Sequence, residues 1–365
     1  MIRITSLIKH LHIDIPLLIG IICLMGTSLV ILYSASGEST DALISQGIRT
    51  IIAIGVMLFM ASLSPKIYAR WAFLGYIICT ILLILVLVMG HVGKGAERWL
   101  DLGIIRFQPA EFLKLIMPMT IAAFFAKRVL PARLLACIAA FILIMIPVGL
   151  IILQPDLGTA ILIAASGCFI IYLAGLNWYL ILSGVIIGAL YAPIHWFFFM
   201  YDYQKDRILT FLNPESDPLG KGYNIIQSKI AIGSGGMMGK GWLNGTQSHL
   251  QFLPESHTDF IFAVFCEEFG FVGFLFLLSL YLMVIARCTY ISMKAENTFE
   301  RLLSGALTLT FFFYIFVNIG MVSGILPVVG VPLPMISYGG TSMITLSAAF
   351  GIIMGIHTHR RKQPF

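Results

Sequence analysis

The sequence predicts an all-α, polytopic membrane protein with ten transmembrane helices, and three observations support that fold class. The chain of 365 residues is 59% hydrophobic and only 11% charged, and its mean hydropathy is +0.96. Ten apolar segments follow one another, and most reach the roughly 20 residues that a helix needs to cross a bilayer. Charged residues are concentrated between these segments. So little charge excludes a water-soluble protein, and in such a chain the net charge of +6 does not indicate nucleic-acid binding.

The ten segments form one predicted membrane domain over residues 1–365. They lie at residues 15–34, 47–63, 72–90, 109–126, 134–153, 157–174, 178–200, 258–286, 303–322 and 341–357. Residues 1–13 fit either a short helix in the inner interface or a plain basic leader. The first apolar segment is long enough to span and more spans follow it, so no cleavable signal peptide is predicted.

The distribution of Lys and Arg predicts that both termini are cytoplasmic. With the N-terminus inside, the short outer loops hold Lys94, Arg98 and Arg106. The inner loops and tails hold Arg3, Lys9, Lys66, Arg70, Lys127, Arg128, Arg133, Arg287, Lys294, Arg301, Arg360, Arg361 and Lys362. Positive residues accumulate on the cytoplasmic side of membrane proteins, so this bias sets the predicted orientation.

Two predicted outer segments are more than simple connectors. Residues 91–108 mix charge with aromatic side chains, and residues 201–257 form one large extracytoplasmic loop. A loop of that length is usually functional or disordered, and its aromatic, glycine and proline residues favour an ordered one. Within it, GSGGMMGKG (residues 233–241) fails as a phosphate loop because glycine follows Lys240 and no strand precedes it. We interpret these glycines as backbone flexibility against a partner or lipid.

Cysteines and histidines give no metal or redox site in the sequence. The six cysteines lie in or at the ends of apolar segments and form no C-x-x-C pair, so they are predicted to be small core residues. No H-E-x-x-H or comparable cluster of ligands is present, and the identity of any metal stays unknown.

The acidic residues at or within the helices lie mostly in the predicted outer half, and these are Glu111, Asp156, Asp259, Glu267 and Glu268. The inner halves of the spans are nearly free of ionisable groups. A proton or ion relay would need such groups on both sides of the membrane. The polar chemistry is therefore predicted to face outward.

Asp259 and Lys114 each allow two interpretations from the residues alone. Ser256-His257-Thr258-Asp259 fits the S-x-x-D pattern of a capping box, and an acid in a first helical turn also complements the helix dipole. The alternative is a chemical role for the Asp259 carboxylate. Lys114 lies three residues from Glu111 on one helix face, so it is either a structural ion-pair partner or a ligand for an anion.

The chain resembles the SEDS family (shape, elongation, division and sporulation) through five motifs in order. The most specific is LPxxGxPLPxxSYGGTS, which occupies residues 326–342. The others are RWLDLG at 98–103, QPAEFLK at 108–114, LQPDLGT at 153–159 and FLPESHTDFIFAV at 252–264. Residues 240–255 and the short termini are most similar to the branch that acts in cell elongation. Ala110 and Cys266 depart from the common pattern, and neither position is ionisable.

This resemblance implies a multi-pass protein of the bacterial cytoplasmic membrane with peptidoglycan glycosyltransferase activity. Such proteins polymerise lipid II on the outer face of that membrane and work with a class B penicillin-binding protein, which cross-links the product. The essential aspartate of the family corresponds to Asp259. The predicted docking surface for the partner is the long outer loop or the aromatic surface of Phe271, Phe274, Phe276, Tyr281, Phe311, Phe312, Phe313 and Tyr314.

Transfer from an α-linked diphosphate to a β linkage inverts configuration, which requires a base and a cationic site for the leaving group. Asp259 is the predicted base, and Lys114, Arg98 and Arg207 are candidates for the diphosphate, joined by Glu111 and Asp156 in the predicted substrate site. A divalent cation, Mg²⁺ or Mn²⁺, is a further candidate, and no organic cofactor is expected. Two other functions stay open: a lipid II flippase or transporter, and a scaffold that only recruits the cross-linking enzyme.

Overall fold

The computed structural model of the protein describes residues 12–89, 91–93, 96–101, 106–198, 200–216, 218, 222–246 and 255–359. Within these ranges nine helices are long and apolar enough to cross a membrane, and a further apolar helix of 17 residues is slightly shorter. These ten helices coincide with the ten predicted segments, so the predicted fold class is confirmed. The predicted interfacial helix falls mainly on residues 1–11, outside the described ranges.

The helices are numbered in chain order, and α8 and α9 belong to the long outer segment. They are α1 (Ile15–Ala35), α2 (Thr40–Ser62), α3 (Pro65–Met89), α4 (Pro109–Ala126), α5 (Leu134–Leu153), α6 (Leu157–Leu173), α7 (Trp178–Phe198), α8 (Asp202–Leu212), α9 (Tyr223–Gly235), α10 (Ile261–Met293), α11 (Thr298–Val322) and α12 (Thr341–Thr358). Helices α4, α11 and α12 form the centre of the bundle, because 72%, 72% and 67% of the residues in their most apolar stretch are buried. Helix α7 has no buried residue and lies at the edge.

Both described ends of the chain lie on the same side of the bundle. The His12 ring stacks on the His359 ring at 3.7 Å, and His12 Nδ1 is 3.1 Å from Thr358 Oγ1. On the same side, the Asp14 carboxylate caps α1 and accepts two hydrogen bonds from the Arg287 guanidinium, at 2.7 and 3.0 Å. An even number of crossings produces this arrangement.

The first outer loop contains three short antiparallel strands, an addition to the predicted all-helical fold. They are β1 (His91–Gly93), β2 (Ala96–Asp101) and β3 (Arg106–Phe107), in the order β1-β2-β3. Trp99 of β2 is opposite His91 of β1, and Asp101 is opposite Arg106 of β3. This small sheet leads directly into α4, which carries Glu111 and Lys114.

The described part of the long outer segment is largely helical. Between α8 and α9 lies a single 3₁₀ turn, Pro214–Ser216. Helix α9 packs into the bundle, where Ser228 is fully buried and its hydroxyl donates to the Val322 carbonyl at 2.9 Å. The described part of this segment is therefore an integral part of the fold.

Helix α10 is broken at Gly270, which has φ 62° and ψ −159° inside an otherwise helical run. Residues 236–241, which we call the glycine segment, pack against this break. A Cβ on Gly239 would lie 2.0 Å from the Glu268 carbonyl oxygen, so only glycine permits this approach. Gly239 therefore serves close backbone packing, and the sequence-based interpretation of flexibility toward a partner or lipid is wrong for this glycine.

The orientation of the bundle in the membrane is testable by cysteine labelling. We expect Glu215→Cys to react with a membrane-impermeant maleimide from outside intact cells, because it is exposed in the long outer segment. Lys294→Cys, exposed after α10, should react only after the cells are opened. Both variants are made in a background without the six native cysteines. The reverse pattern would contradict the predicted orientation.

Candidate active site

Asp259 lies in a turn just before α10 and is outside the helix. Residues 255–260, which we call the carboxylate turn, are non-helical, and the N-cap of α10 is Phe260, without a side-chain capping bond. The Ser256 hydroxyl, which a capping box requires at the N-cap, donates instead to the Ala35 carbonyl at 3.1 Å. The predicted capping box is therefore wrong, because tertiary contacts determine the path of this turn.

Three successive backbone carbonyls of the carboxylate turn accept hydrogen bonds from other parts of the bundle. The bonds are Tyr338 N–H to His257 O at 2.9 Å, Ser337 Oγ to Thr258 O at 2.6 Å, and Asn318 Nδ2 to Asp259 O at 2.9 Å. Groups held within a narrow range of positions by such supports are what a catalytic site needs. The partly exposed Asp259 is thus presented by a fixed backbone.

Asn318, which bonds to the Asp259 carbonyl, also holds the segment that faces the Asp259 side chain. Asn318, fully buried in α11, also donates to the Val331 carbonyl at 2.7 Å. Gly330 has φ 73°, and a Cβ added to it would lie 3.6 Å from Asp259 Oδ2. Residues 324–342, which we call the proline-rich segment, therefore bring glycine backbone close to the carboxylate. Irregular backbone at this depth in a membrane protein is tolerated where it lines a cavity or is buried in protein.

Glu111 and Lys114 form the predicted ion pair on α4. Lys114 Nζ lies 2.5 Å from Glu111 Oε1, and both side chains are buried. Thr345 Oγ1 of α12 is 3.4 Å from the other Glu111 oxygen, and the Lys114 ammonium lies 5.7 Å from the centre of the Tyr314 ring. The pairing is confirmed, whereas a role for Lys114 in diphosphate binding stays a prediction.

The pair on α4 is linked to Asp259 through a small buried cluster. Tyr314, which faces Lys114, packs with Leu162, Val317 and Val331, and Val331 follows Gly330 in the proline-rich segment. Just before α4, the Gln108 side chain donates a hydrogen bond from Nε2 to Asp156 Oδ2 at 3.4 Å, which joins the beginning of α4 to the beginning of α6. The structure thus brings α4, α6, α11 and the proline-rich segment together around one outer site.

The remaining predicted site residues occupy three different positions. Asp156 is buried and caps α6, since its Oδ1 accepts from the Thr159 N–H at 3.2 Å. Next to this cap, a Cβ on Gly158 would lie 2.5 Å from the Val329 carbonyl oxygen, so α6 begins against the proline-rich segment. Arg207 is exposed on α8. Arg98 lies in β2, and its side chain is outside the part of the chain that the structure describes.

Sequence reasoning missed Arg49 of α2 as a residue of this site. Its guanidinium lies 4.3 Å from the centre of the Tyr338 ring, which in turn makes an edge contact with the His257 ring at 5.8 Å. The Tyr338 N–H is bonded to the carboxylate turn, so Arg49 is close to the backbone that carries Asp259. An arginine in the outer part of a predicted span was the available signal, because ionised residues in spans are costly and usually functional.

No group of three His, Cys, Asp or Glu side chains gathers to hold a metal ion in the described ranges. Asp259 lies beside Gly330, and Asp156 caps α6, whose Gly158 packs against Val329 of the proline-rich segment. Mg²⁺ is commonly bound by one or two carboxylates together with substrate phosphates. The donor set therefore fits a cation shared with a diphosphate better than a cation held by protein side chains alone.

The chain belongs to the cell cycle protein family of FtsW, RodA and SpoVE, whose profile matches residues 8–362. It is 52% identical over 350 residues to the peptidoglycan glycosyltransferase MrdB of Escherichia coli K12, covering 96% of this chain and 95% of that one. It is 34% identical over 366 residues to a probable peptidoglycan glycosyltransferase FtsW of Trichlorobacter lovleyi, covering 96% and 94%.

Two solved structures share this fold. One belongs to a peptidoglycan synthase complex that coordinates polymerisation and crosslinking, with a TM-score of 0.84, 32% identity and coverage of 96% of this chain and 99% of that one. The other is the rod shape determining protein RodA of Thermus thermophilus, with a TM-score of 0.72, 28% identity and coverage of 96% and 98%. The family resemblance seen in the sequence motifs is confirmed.

The Glu111–Lys114 pair can be separated into its structural and chemical roles by charge reversal. Removing one partner alone should cost about 3–5 kcal/mol of stability, because it leaves an unpaired buried charge. The exchanged variant Glu111→Lys/Lys114→Glu should recover much of the lost melting temperature. If Lys114 also binds the diphosphate, this variant folds but does not polymerise. Recovery of both melting temperature and activity would leave the pair with a structural role only.

Proposed function

We infer that the protein is a peptidoglycan glycosyltransferase that polymerises lipid II during bacterial cell elongation. The names of its relatives support this activity, and the geometry supplies a suitable base. The observation that carries the proposal is Asp259, a partly exposed carboxylate on a turn whose carbonyls are held by three hydrogen bonds. A fixed carboxylate at the outer end of a bundle suits a reaction on a lipid-linked sugar.

In this reaction the Asp259 carboxylate accepts the proton of the acceptor 4-hydroxyl group. The hydroxyl oxygen bonds to the anomeric carbon of the donor while the bond from that carbon to the diphosphate oxygen breaks. Configuration is inverted, and the polyprenyl diphosphate leaves with its electron pair. General base catalysis of this kind contributes about 10²- to 10⁴-fold to the rate.

Positive side chains stabilise the charge that develops on the leaving diphosphate. Lys114 has three ammonium donors and uses two of them for Glu111 and Tyr314, which leaves one for a phosphate oxygen. Arg98, Arg207 and the newly identified Arg49 are the other candidates. Glu111 fixes the position of Lys114, and Asp156 fixes the beginning of α6 beside the proline-rich segment.

A divalent cation, Mg²⁺ or Mn²⁺, fits this site when it is shared with the substrate. The candidate carboxylates are Asp259, beside Gly330, and Asp156, which caps the helix that begins against the proline-rich segment. The ion would supply further positive charge to the leaving diphosphate. The protein's own contribution is to keep these carboxylates on fixed backbone.

Membership of the same family supports a proposal for the membrane and the partner. The protein is a multi-pass membrane protein, and we place it in the bacterial cytoplasmic membrane with the site outside and a class B penicillin-binding protein as partner. Of the aromatic side chains predicted to face that partner, Tyr281, Phe311 and Tyr314 are buried, so the prediction is wrong for them. Phe271 and Phe312 remain exposed on α10 and α11 and are available for docking.

The purified protein with lipid II separates this function from its alternatives. We expect glycan polymer to form without any partner when lipid II is supplied in detergent or liposomes. A flippase would instead move labelled lipid II between leaflets without extending it, and a scaffold would do neither. Translocation without polymer, measured with the polymer resolved by gel electrophoresis, would contradict the proposed activity.

The substitution Asp259→Asn tests the base directly. Asn keeps the size and most of the hydrogen bonding of Asp but accepts no proton, so polymerisation should fall by roughly 10²-fold or more. Expression and melting temperature should stay unchanged, because the turn is held through its carbonyls. Asp259→Glu should restore little, since a displaced base misses the reactive geometry. A folded Asp259→Asn protein with a near-normal rate would contradict the assignment.

A further inference from the structure

Helix α10 consists of two helices that meet at Gly270. Residues 261–269, which we call the short half, follow directly after Asp259, and residues 271–293 form the long half. Helical hydrogen bonding is interrupted between them because Gly270 is not helical. The short half is therefore not held in place by the long half alone, and its position depends on other contacts.

The glycine segment supplies the backbone partners that both halves lack at the break. Its N–H groups donate to carbonyls at the end of the short half, and its carbonyls accept from N–H groups at the start of the long half. The bonds are Lys240 N to Glu267 O at 3.0 Å, Gly241 N to Glu268 O at 2.9 Å, Phe271 N to Gly236 O at 2.9 Å and Val272 N to Met237 O at 3.1 Å. The glycine segment thus joins the two halves.

A buried side-chain cluster reinforces this joint from the short half. The fully buried Glu267 carboxylate lies 2.7 Å from Lys240 Nζ. It also accepts from the backbone N–H and the hydroxyl of Thr246, both at 2.9 Å, while Lys240 Nζ donates to that hydroxyl at 2.8 Å. We call Glu267, Lys240 and Thr246 the latch. Hydrogen bonds to a charged group are about twice as strong as neutral ones, so the latch is a strong attachment.

The short half and the residues after Lys240 are both fastened to α1. The Ser34 hydroxyl of α1 donates to the buried Glu268 carboxylate. Trp242, which follows the glycine segment, donates its indole N–H to the Val30 carbonyl at 3.2 Å. The latch therefore connects the short half to a segment that is itself anchored on the bundle.

We propose that Glu267 is a positioning residue for Asp259, acting through the latch with Lys240 and Thr246. The proposal rests on the assignment of Asp259 as the base. The short half is only nine residues long, with Asp259 two residues before it and Glu267 near its far end. The three carbonyl bonds hold the turn from outside α10, and the latch holds the short half that follows the turn, so the position of the carboxylate depends on both. A displacement of about 1 Å in a catalytic group can cost about 10²-fold in rate.

The double variant Lys240→Met/Glu267→Leu tests the proposal without leaving a buried charge unpaired. We expect kcat for lipid II polymerisation to fall by about 10- to 100-fold, with KM nearly unchanged and the melting temperature shifted no more than in the matched control. The variant is also combined with Asp259→Asn in a double-mutant cycle. If the latch acts through Asp259, the combined protein should be no slower than Asp259→Asn alone by more than about 3-fold, because residues that act as a unit are not additive.

The matched control removes the ion pair near the other end of the same helix, in Asp14→Asn/Arg287→Met. Asn retains the cap of α1, and neither residue belongs to the site. We therefore expect kcat to stay within about 3-fold of the wild-type value, while the melting temperature shifts because an ion pair has been replaced. An equal loss of kcat in this control would overturn the proposal, since the effect would then be general to α10.

The proposal is also overturned if the latch variant polymerises at the wild-type rate or if its loss adds fully to that of Asp259→Asn. Should the latch variant not fold, Thr246→Val replaces it in the cycle, because it removes one donor and leaves the ion pair intact.

Asp259→Asn measured alone reports on the base. If that variant is fully active, the base assignment and the positioning role both fail. If it is inactive while the latch variant is normal, only the positioning role fails.

Discussion

Backbone that leaves a helix inside a membrane must find its hydrogen-bond partners within the protein, and this constraint organises the outer half of the molecule. The carboxylate turn, the glycine segment and the proline-rich segment are all irregular. Two of them pair backbone groups with another element. The carboxylate turn bonds to Asn318 and to the proline-rich segment, and the glycine segment bonds to both halves of α10. An irregular turn can therefore present a carboxylate while three of its backbone carbonyls are hydrogen-bonded to other parts of the bundle. The same bonds that make the turn tolerable also make it rigid.

Charge is treated differently on the two sides of the bundle. On the side of the termini, Asp14 and Arg287 connect α1 to α10 as a structural pair. On the other side, the Glu111–Lys114 and Glu267–Lys240 pairs flank the elements that surround Asp259. Buried ion pairs contribute little net stability, but losing one partner is costly, so they fix the relative positions of the groups that carry them. Their concentration around one site suits positioning better than ion transport, which would need ionisable groups along the whole path.

The features that depend on local sequence could be predicted, and those that depend on tertiary contact could not. Apolar length is sufficient to place ten helices, and the i, i+3 spacing is sufficient to pair Lys114 with Glu111. The S-x-x-D pattern misled because Ser256 bonds to α1 and leaves the helix to start at Ile261. The break at Gly270 was invisible, since glycine is common in transmembrane helices. The contact of Arg49 with Tyr338 joins residues nearly 300 positions apart in the chain, so no periodicity predicts it.

The separation between base and cation is the property that an inverting transfer most requires. The attacking hydroxyl and the leaving diphosphate occupy opposite faces of the donor sugar, so groups that serve them must not neutralise each other. In this fold the cation of α4 is bound to Glu111 and faces Tyr314, which packs with Val331 in a buried cluster. Gly330 of the proline-rich segment, the residue before Val331, lies next to the Asp259 carboxylate. That segment therefore contacts Asp259, the proposed base, on one side and packs with Tyr314 beside Lys114, a candidate for the diphosphate, on the other. Under this proposal, its glycine and proline backbone sets the distance between the two charges.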